Sequence, residues 1–241
     1  MTATISYICI ELCCVYVFCP LFRVELLFIN KGSNHLIYCT SCYFRSFVDV
    51  VWLVDVFSSV TASEHELVKI FIYNVTTYLT IGSSDVKMAI VTFDVETNAE
   101  FELDDYDEKD ELLSAIDAIP EKSNPVSGRK TMDALTYTQT LFLSFKGGRN
   151  NAAKTVIVIV DGTSTNTPET ISKANELGTN YGAEVFAIGI GSNLTSTNIE
   201  LKGITNDPDS YYLEYIAGFI NLCGILPSIV PKIGKKSNKN L

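Results

Sequence analysis

Two runs of apolar residues, each ending in an aspartate, constrain the fold of this chain more than any other feature. The first run is Val48–Asp55 and the second is Lys154–Asp161. Apolar runs of this length are typical of strands buried on both faces, which occur in parallel sheets covered by helices. A buried carboxylate is costly unless it is hydrated, hydrogen-bonded or paired with a cation. The two runs therefore predict a parallel sheet with acidic side chains at the carboxyl ends of two strands.

Segments with helical and strand-like patterns alternate around these runs. Residues 63–80 have helical spacing, with Ser63 and Glu66 as a capping box. Only three residues separate the strand expected at 86–93 from that at 97–103, which predicts a hairpin. The other predicted elements are helices at 107–119, 131–145, 168–181, 195–204 and 216–230, and strands at 184–190 and 211–213. This order predicts an α/β fold with a doubly wound, mostly parallel six-stranded sheet, one antiparallel edge strand and helices on both faces.

The chain is expected to divide into a domain at 48–231 and two flanking segments. Residues 1–47 are atypical: they are apolar and carry most of the chain's seven cysteines, namely Cys9, Cys13, Cys14, Cys19, Cys39 and Cys42. Three interpretations of this segment stay open: a poor signal sequence or membrane anchor, an ill-fitting N-terminus such as translated non-coding sequence, or a genuine cysteine-rich module. Residues 232–241 are expected to be a basic, disordered tail.

Composition and local motifs argue against several classes of function. The formal net charge is −10, which disfavours nucleic acid as a partner, because phosphate binding needs clustered Lys and Arg. The turn after the first strand, 56–59, has no glycine, whereas nucleotide-binding versions of this fold need a glycine-rich turn there. The sequence also contains no P-loop and no G-x-S-x-G motif. We therefore expect no catalysis and no small-molecule substrate.

The most informative polar residues follow the two apolar runs. In doubly wound sheets, ligands bind at the carboxyl ends of the strands. Asp55 is followed by Ser58 and Ser59, and Asp161 by Thr163 and Ser164. Carboxylates with hydroxyls suit Mg²⁺ or Mn²⁺, with waters completing the coordination shell. Capping of turns and helix N-termini by the two aspartates is an equally good interpretation of the spacing alone.

Several ordered motifs resemble those of one family. A D-x-S-x-S-like segment runs from Asp55 to Ser59, a segment similar to G-T-x-T-x-x-A-L spans 128–135, and an apolar strand ending in D-G spans 156–162. Segments 86–93 and 182–191 resemble further strands of the same family, which is the von Willebrand factor type A family. The resemblance covers about 48–231 and implies the predicted fold. It also implies a metal-ion-dependent adhesion site (MIDAS) and a role in adhesion, as in extracellular matrix and collagen-type proteins.

The sequence departs from the family pattern at two site positions. Phe57 replaces the middle serine of D-x-S-x-S, and Arg129 stands at the metal-binding threonine of the loop, with Thr131 at the second threonine. A phenyl ring cannot be a ligand of Mg²⁺. A permanently charged guanidinium repels a divalent cation and suits pairing with carboxylates. We therefore expect no bound cofactor and a degenerate metal site, made of Asp55, Ser59, Thr131 and Asp161. Weak Mg²⁺ binding through these four residues, with a loop shift bringing Thr131 in, is the alternative.

The resemblance implies a protein ligand from the matrix or the cell surface. We expect it to bind the rim, a surface that we define by Phe57, Ser58, Arg129 and Thr163. Either Arg129 receives a carboxylate of the partner directly, or a different face is used. The competing functions are Mg²⁺-dependent ligand binding at the same rim and an intracellular scaffold of the same fold.

The resemblance to matrix proteins implies secretion, and two glycosylation sequons agree with it. They begin at Asn74 and Asn193, of which Asn193 is the better candidate because it falls in a predicted loop. They favour secretion, while membrane anchoring through residues 1–47 stays open. Many proteins of the family are long multidomain chains, so this sequence can also be a fragment of one.

Overall fold

The centre of the molecule is a mixed β-sheet. The computed structural model describes residues 47–57, 59–120, 128–192, 194, 195 and 197–233. Within these residues the strands are β1 (Val48–Asp55), β2 (Val86–Phe93), β3 (Thr97–Phe101), β4 (Ala153–Val160), β5 (Glu184–Ile190) and β6 (Leu213–Ile216). They form one six-stranded sheet in the order β3-β2-β1-β4-β5-β6. Strand β3 is antiparallel to β2 and the other neighbours are parallel, which confirms the predicted sheet.

Helices cover both faces of this sheet. Their bounds are α1 (Ala62–Thr77), α2 (Lys109–Asp117), α3 (Thr131–Leu141), α4 (Thr167–Tyr181), α5 (Ile199–Ile204), α6 (Asp209–Tyr212) and α7 (Leu226–Ile229). Short 3₁₀ helices span Ser144–Lys146, Phe219–Ile225 and Val230–Lys232. Among the helices in the described part of the chain, none has the length and apolar character needed to span a bilayer.

The two faces of β1 pack against different helices, because successive side chains of a strand point to opposite sides. Trp52 points to the α1 side, where its ring meets Phe71 edge to face with centroids 5.9 Å apart. Leu53 belongs to the other core cluster, which includes Leu135 of α3 and Leu177 of α4. Every residue of β1 is buried, as its apolar run predicted. Asp55 shares the face of Leu53, so its side chain lies on the side of α3 and α4.

The predicted capping box of the first helix is wrong. Helix α1 is capped by Thr61, whose hydroxyl accepts from the backbone N–H of Glu64, while the Glu64 carboxylate accepts from the backbone N–H of Thr61. Ser63 lies inside the first turn, where its backbone is already helical. The error arose because Thr-x-x-Glu and Ser-x-x-Glu occur two residues apart in this segment, and only the extended backbone at Thr61 decides between them.

The predicted C-terminal elements are also partly wrong. The last strand lies at Leu213–Ile216 rather than at 211–213, because residues 209–212 form α6. The helix predicted over 216–230 is broken into the 3₁₀ helix Phe219–Ile225, α7 and a further 3₁₀ helix. Pro227 lacks the amide hydrogen that a continuous helix needs. Gly224 is a poor helix former, because fixing its flexible backbone in a helix costs more entropy than for other residues.

Two other helices have one end that lies four residues from its predicted bound. The helix predicted at 131–145 ends at Leu141, and that predicted at 195–204 begins only at Ile199. The predictions for residues 1–46 and for the tail beyond Ile233 lie outside the described residues.

A buried ionic cluster secures the amino ends of the central strands. The Asp49 carboxylate accepts from Arg149 Nε at 2.7 Å, from Arg149 N at 2.8 Å and from Lys154 Nζ at 3.2 Å. Arg149 also donates to the backbone oxygens of Val48, Ser83 and Asp85. The cluster therefore ties β1 to the chain segments that lead into β2 and β4.

Candidate functional site

The side chain of Arg129 lies between two aspartates at the carboxyl edge of the sheet. Its Nε donates to Oδ2 of Asp55, and its Nη2 donates to Oδ1 of Asp161. Nη2 also lies 3.3 Å from Oγ of Ser59, and Nη1 donates to the carbonyl oxygen of Thr163 at 3.2 Å. Only 10% of the Arg129 side chain is exposed. One buried guanidinium therefore connects the loops that follow β1 and β4.

The sheet topology explains why these groups meet. Asp55 is the last residue of β1, and Asp161 directly follows β4, the parallel neighbour of β1. Arg129 lies in the loop before α3. Backbone hydrogen bonds join this loop to the loops that follow β2 and β4. The N–H of Lys130 donates to the carbonyl oxygen of Asp94 at 2.7 Å, and the N–H of Thr165 donates to that of Arg129 at 2.8 Å. These backbone bonds position Arg129 so that its guanidinium lies between the two carboxylates.

Gly162 and Phe57 shape the space that the guanidinium fills. A Cβ atom added to Gly162 would clash with Nη1 of Arg129, so a side chain at this position would push the guanidinium aside. The ring of Phe57 packs on the guanidinium, with its centroid 4.6 Å from Cζ. This distance is within the range of a cation–π interaction. The backbone N–H of Phe57 also donates to Oδ1 of Asp55 at 2.9 Å.

Burial makes Asp55 an unusual carboxyl group. Desolvation raises the pKa of Asp55 to about 7, against the opposing effects of the Arg129 charge and of the Phe57 N–H. The negative charge of Asp161 raises the pKa further. Arg129 therefore favours the ionised form of Asp55, which burial disfavours.

Glu200 is another buried carboxylate near this edge, and the sequence analysis missed it. Its side chain accepts from the N–H of Ser164 at 2.7 Å and from the hydroxyls of Ser164 and Thr167. These bonds hold the loop after β4, which carries Asp161 and Thr163, against α5. No local pattern marks Glu200, because its partners lie more than 30 residues away in the sequence.

The other predicted site residues have different environments. Thr131 is the first residue of α3 and is 1% exposed, and within the described part of the chain its hydroxyl has no hydrogen-bond partner. The Thr163 side chain is exposed. Asn74 is half-buried in α1, and its Nδ2 donates to Sγ of Cys223 at 3.8 Å. Ser58 and Asn193 lie outside the described residues.

In this structure Arg129 contacts the oxygens that a divalent cation would need. Asp55, Ser59 and Asp161 supply the oxygens that the family resemblance assigns to a metal, and all three contact nitrogens of Arg129. A guanidinium carries only donors, so it cannot share a coordination shell with Mg²⁺. Elsewhere in the described residues, no group of three or more His, Cys, Asp or Glu side chains is placed to hold a metal ion.

Solved structures with the same fold include metal-loaded proteins. Proximal thread matrix protein 1 from the mussel byssus superimposes with a TM-score of 0.71 at 21% identity, covering 79% of this chain and 49% of that one. Another structure of the mussel protein has a zinc-occupied MIDAS motif and gives a TM-score of 0.70 at 21% identity over 79% of this chain and 48% of that one. Manganese-loaded TRAP protein of Plasmodium vivax gives a TM-score of 0.61 at 21% identity, covering 76% and 74%. At these identities the similarity establishes the fold alone.

Sequence relatives are extracellular matrix proteins. Bovine matrilin-1 is 30% identical over 192 residues, which are 78% of this chain and 32% of matrilin-1. The mouse collagen α-4(VI) chain is 29% identical over 166 residues, which are 69% of this chain and 7% of the collagen. The chain thus spans only a part of the length of these relatives. The model of the von Willebrand factor type A domain matches residues 49–221. With the topology described above, this match shows that the chain belongs to the von Willebrand factor type A family.

Proposed function

We propose that residues 48–231 form a non-catalytic protein-binding module of the extracellular matrix type, and that the rim is its binding surface. The observation that carries this proposal is the single guanidinium of Arg129, which fixes the loops after β1 and β4 in one arrangement. A surface held rigid before it meets its partner loses less entropy on binding. The similarity to matrilin and collagen chains supports the matrix type.

The chemistry of the rim supports binding rather than catalysis. A general base or nucleophile must be within reach of a substrate atom. The carboxylates of Asp55 and Asp161 both accept from Arg129, and the carboxylate of Glu200 accepts from Ser164 and Thr167. These acidic groups are engaged in holding loops together. We therefore assign them structural roles within an interaction module.

We further propose that binding at the rim does not require a divalent cation. Arg129 already neutralises part of the charge of Asp55 and Asp161. Its guanidinium is nearly buried and its face is packed by Phe57, so we assign Arg129 the role of organising the rim rather than of contacting a carboxylate of the partner. Phe57, Ser58 and Thr163 then supply the contacts. Mg²⁺-dependent binding is the competing function, and insensitivity to chelators separates the two.

A charged side chain at the rim is expected to weaken binding. In Thr163→Arg, a bulky cation replaces an exposed hydroxyl beside Arg129, and we expect at least about a tenfold loss of affinity because a long charged side chain disturbs the centre of the contact. The measurement is surface plasmon resonance of the full chain against a panel of purified extracellular matrix proteins, with and without EDTA.

The matched control for this experiment is Thr179→Arg. Thr179 is an exposed threonine in the last turn of α4, about 20 Å along the helix from the end nearest the rim. This variant is expected to bind as the wild type does. Equal binding by the Thr163 variant would overturn the assignment of the rim, and loss of wild-type binding in EDTA would favour the metal-dependent function.

We propose that the protein is secreted, which can be tested by its glycosylation. Asn193 is the expected acceptor. Asn74 is expected to be a poor one, since it lies within a helix and contacts Cys223. Peptide mapping of protein made by secretory cells should find N-glycan on Asn193 and little on Asn74. A chain glycosylated mainly at Asn74, or at neither site, would count against this proposal.

A further inference from the structure

We infer that Phe57 and Arg129 act as one unit that replaces a divalent cation, and that the oxygens around the guanidinium form a latent cation site. The unit is the pair of positions at which the sequence departs from the family motif. The inference concerns the cation rather than the partner, so its test can fail while the protein-binding proposal stands.

The two departures are in direct contact. Cζ of Arg129 lies 4.6 Å from the centroid of the Phe57 ring. A cation–π contact is stronger when it is shielded from water, and this guanidinium is nearly buried. The backbone of Phe57 also hydrogen-bonds Asp55, which is the first partner of Arg129. The Phe57 ring therefore covers the guanidinium that the two carboxylates hold, and the two replaced residues stabilise each other.

Arg129 uses the oxygens that a cation would need. Its two terminal nitrogens and its Nε reach Asp55, Ser59, Asp161 and the carbonyl oxygen of Thr163. A divalent ion can bind there only by displacing the guanidinium, because the two charges repel strongly at such short distance in a poorly hydrated site. The guanidinium is tethered to the same chain, so its effective concentration at the site is permanently high. Arg129 therefore competes with any divalent cation for these oxygens.

Two further features indicate that the site behind the guanidinium is latent rather than lost. The Thr131 hydroxyl is buried and has no hydrogen-bond partner within the described part of the chain. An unpaired buried hydroxyl is unfavourable, and Thr131 follows Arg129 by two residues in the sequence, so its hydroxyl is assigned to the latent site. Gly162 leaves the space that Nη1 occupies, which becomes available to water when the side chain of Arg129 is removed. Hard oxygens with room for water are what Mg²⁺ and Mn²⁺ require.

The test compares cation binding by the full chain and by three variants. Wild type, Phe57→Ser, Arg129→Thr and the double variant Phe57→Ser/Arg129→Thr are titrated with Mn²⁺. Binding is followed by isothermal calorimetry and by thermal unfolding, with added NaCl as the control for ionic strength. We expect no saturable effect in the wild type, weak binding in the single variants, and binding at least about tenfold tighter in the double variant than in either single one. Addition of Asp161→Asn to the double variant should abolish the binding.

When the double variant folds, either of two results overturns the inference: saturable binding of Mn²⁺ by the wild type that Asp161→Asn removes, or a double variant that binds no better than the wild type. Removal of Arg129 exposes two carboxylates to each other, so the double variant is refolded both with and without Mn²⁺. Folding that depends on Mn²⁺ supports a cation site at these residues. If it folds in neither condition, Phe57→Ser decides, because it keeps Arg129 and both carboxylates. Gain of weak Mn²⁺ binding by this variant supports the pairing, and none contradicts it.

Discussion

Replacing Asp49 with alanine is expected to lower the free energy of unfolding by about 3–5 kcal/mol. Asp49 is fully buried and is the common acceptor for Arg149 and Lys154. Its removal leaves the ammonium of Lys154, which is 6% exposed, without its carboxylate in the protein interior. Breaking one side of a buried pair is more costly than the pair itself is stabilising, because the remaining charge has neither water nor a counter-ion. Urea unfolding at neutral pH, with the m-value compared between variants, measures the loss.

The matched control is Asp107→Ala. Asp107 pairs with Lys87 at 3.3 Å, but its side chain is 49% exposed. Exposed pairs contribute about 0–1 kcal/mol, so this variant should stay within that range. If the two aspartate variants lost equal stability, the buried cluster would not have the role assigned to it.

Replacing Arg129 with alanine is expected to cause a loss of similar size, about 3–5 kcal/mol at pH 8. It leaves Asp55 and Asp161 facing each other without a cation. The neighbouring Lys130→Ala is the control, because the side chain of Lys130 forms an exposed pair with Asp133 at 3.8 Å. Its expected cost is below about 1 kcal/mol.

The loss in Arg129→Ala should depend on pH in a defined direction. Burial raises the pKa of Asp55 to about 7, and the charge of Arg129 lowers it. Without Arg129 the pKa of Asp55 in the folded protein is therefore higher still, while its pKa in the unfolded chain is unchanged. The part of the loss that comes from Asp55 is complete above the pKa of the variant. It disappears as the pH falls below about 7, where the carboxyl is protonated in both proteins. A loss that grew on acidification would contradict this account of Asp55.

The sheet was predictable because its signal lies in local sequence. The apolar runs ending in Asp55 and Asp161 require burial on both faces, and adjacent parallel strands then bring their carboxyl ends together. Permanent charge makes Arg129 a predictable partner for two such carboxylates. That the site excludes a metal stays a prediction, which the sequence and the ion pairs motivate but which only binding experiments test.

The features that sequence analysis missed depend on contacts distant in sequence or on small backbone choices. Asp49 meets Arg149 and Lys154 across about 100 residues, and Glu200 meets Ser164 across 36. No periodicity marks such pairs. Position 162 needs a glycine because the guanidinium of Arg129 reaches this position from another loop.

The prediction of one continuous C-terminal helix was wrong for a different reason. The apolar spacing of this segment suited a helix, but Gly224 and Pro227 favour its division into 3₁₀ and α segments. Local backbone chemistry overrode the hydrophobic pattern there.

We propose that the guanidinium of Arg129 takes the place of a divalent cation between Asp55 and Asp161. A crystal structure of the full chain grown with excess Mn²⁺, with anomalous data collected at the manganese edge, is the test. We expect no anomalous peak at the rim and electron density for the guanidinium between Asp55 and Asp161. An anomalous peak within bonding distance of both carboxylates, with the side chain of Arg129 turned away, would contradict it.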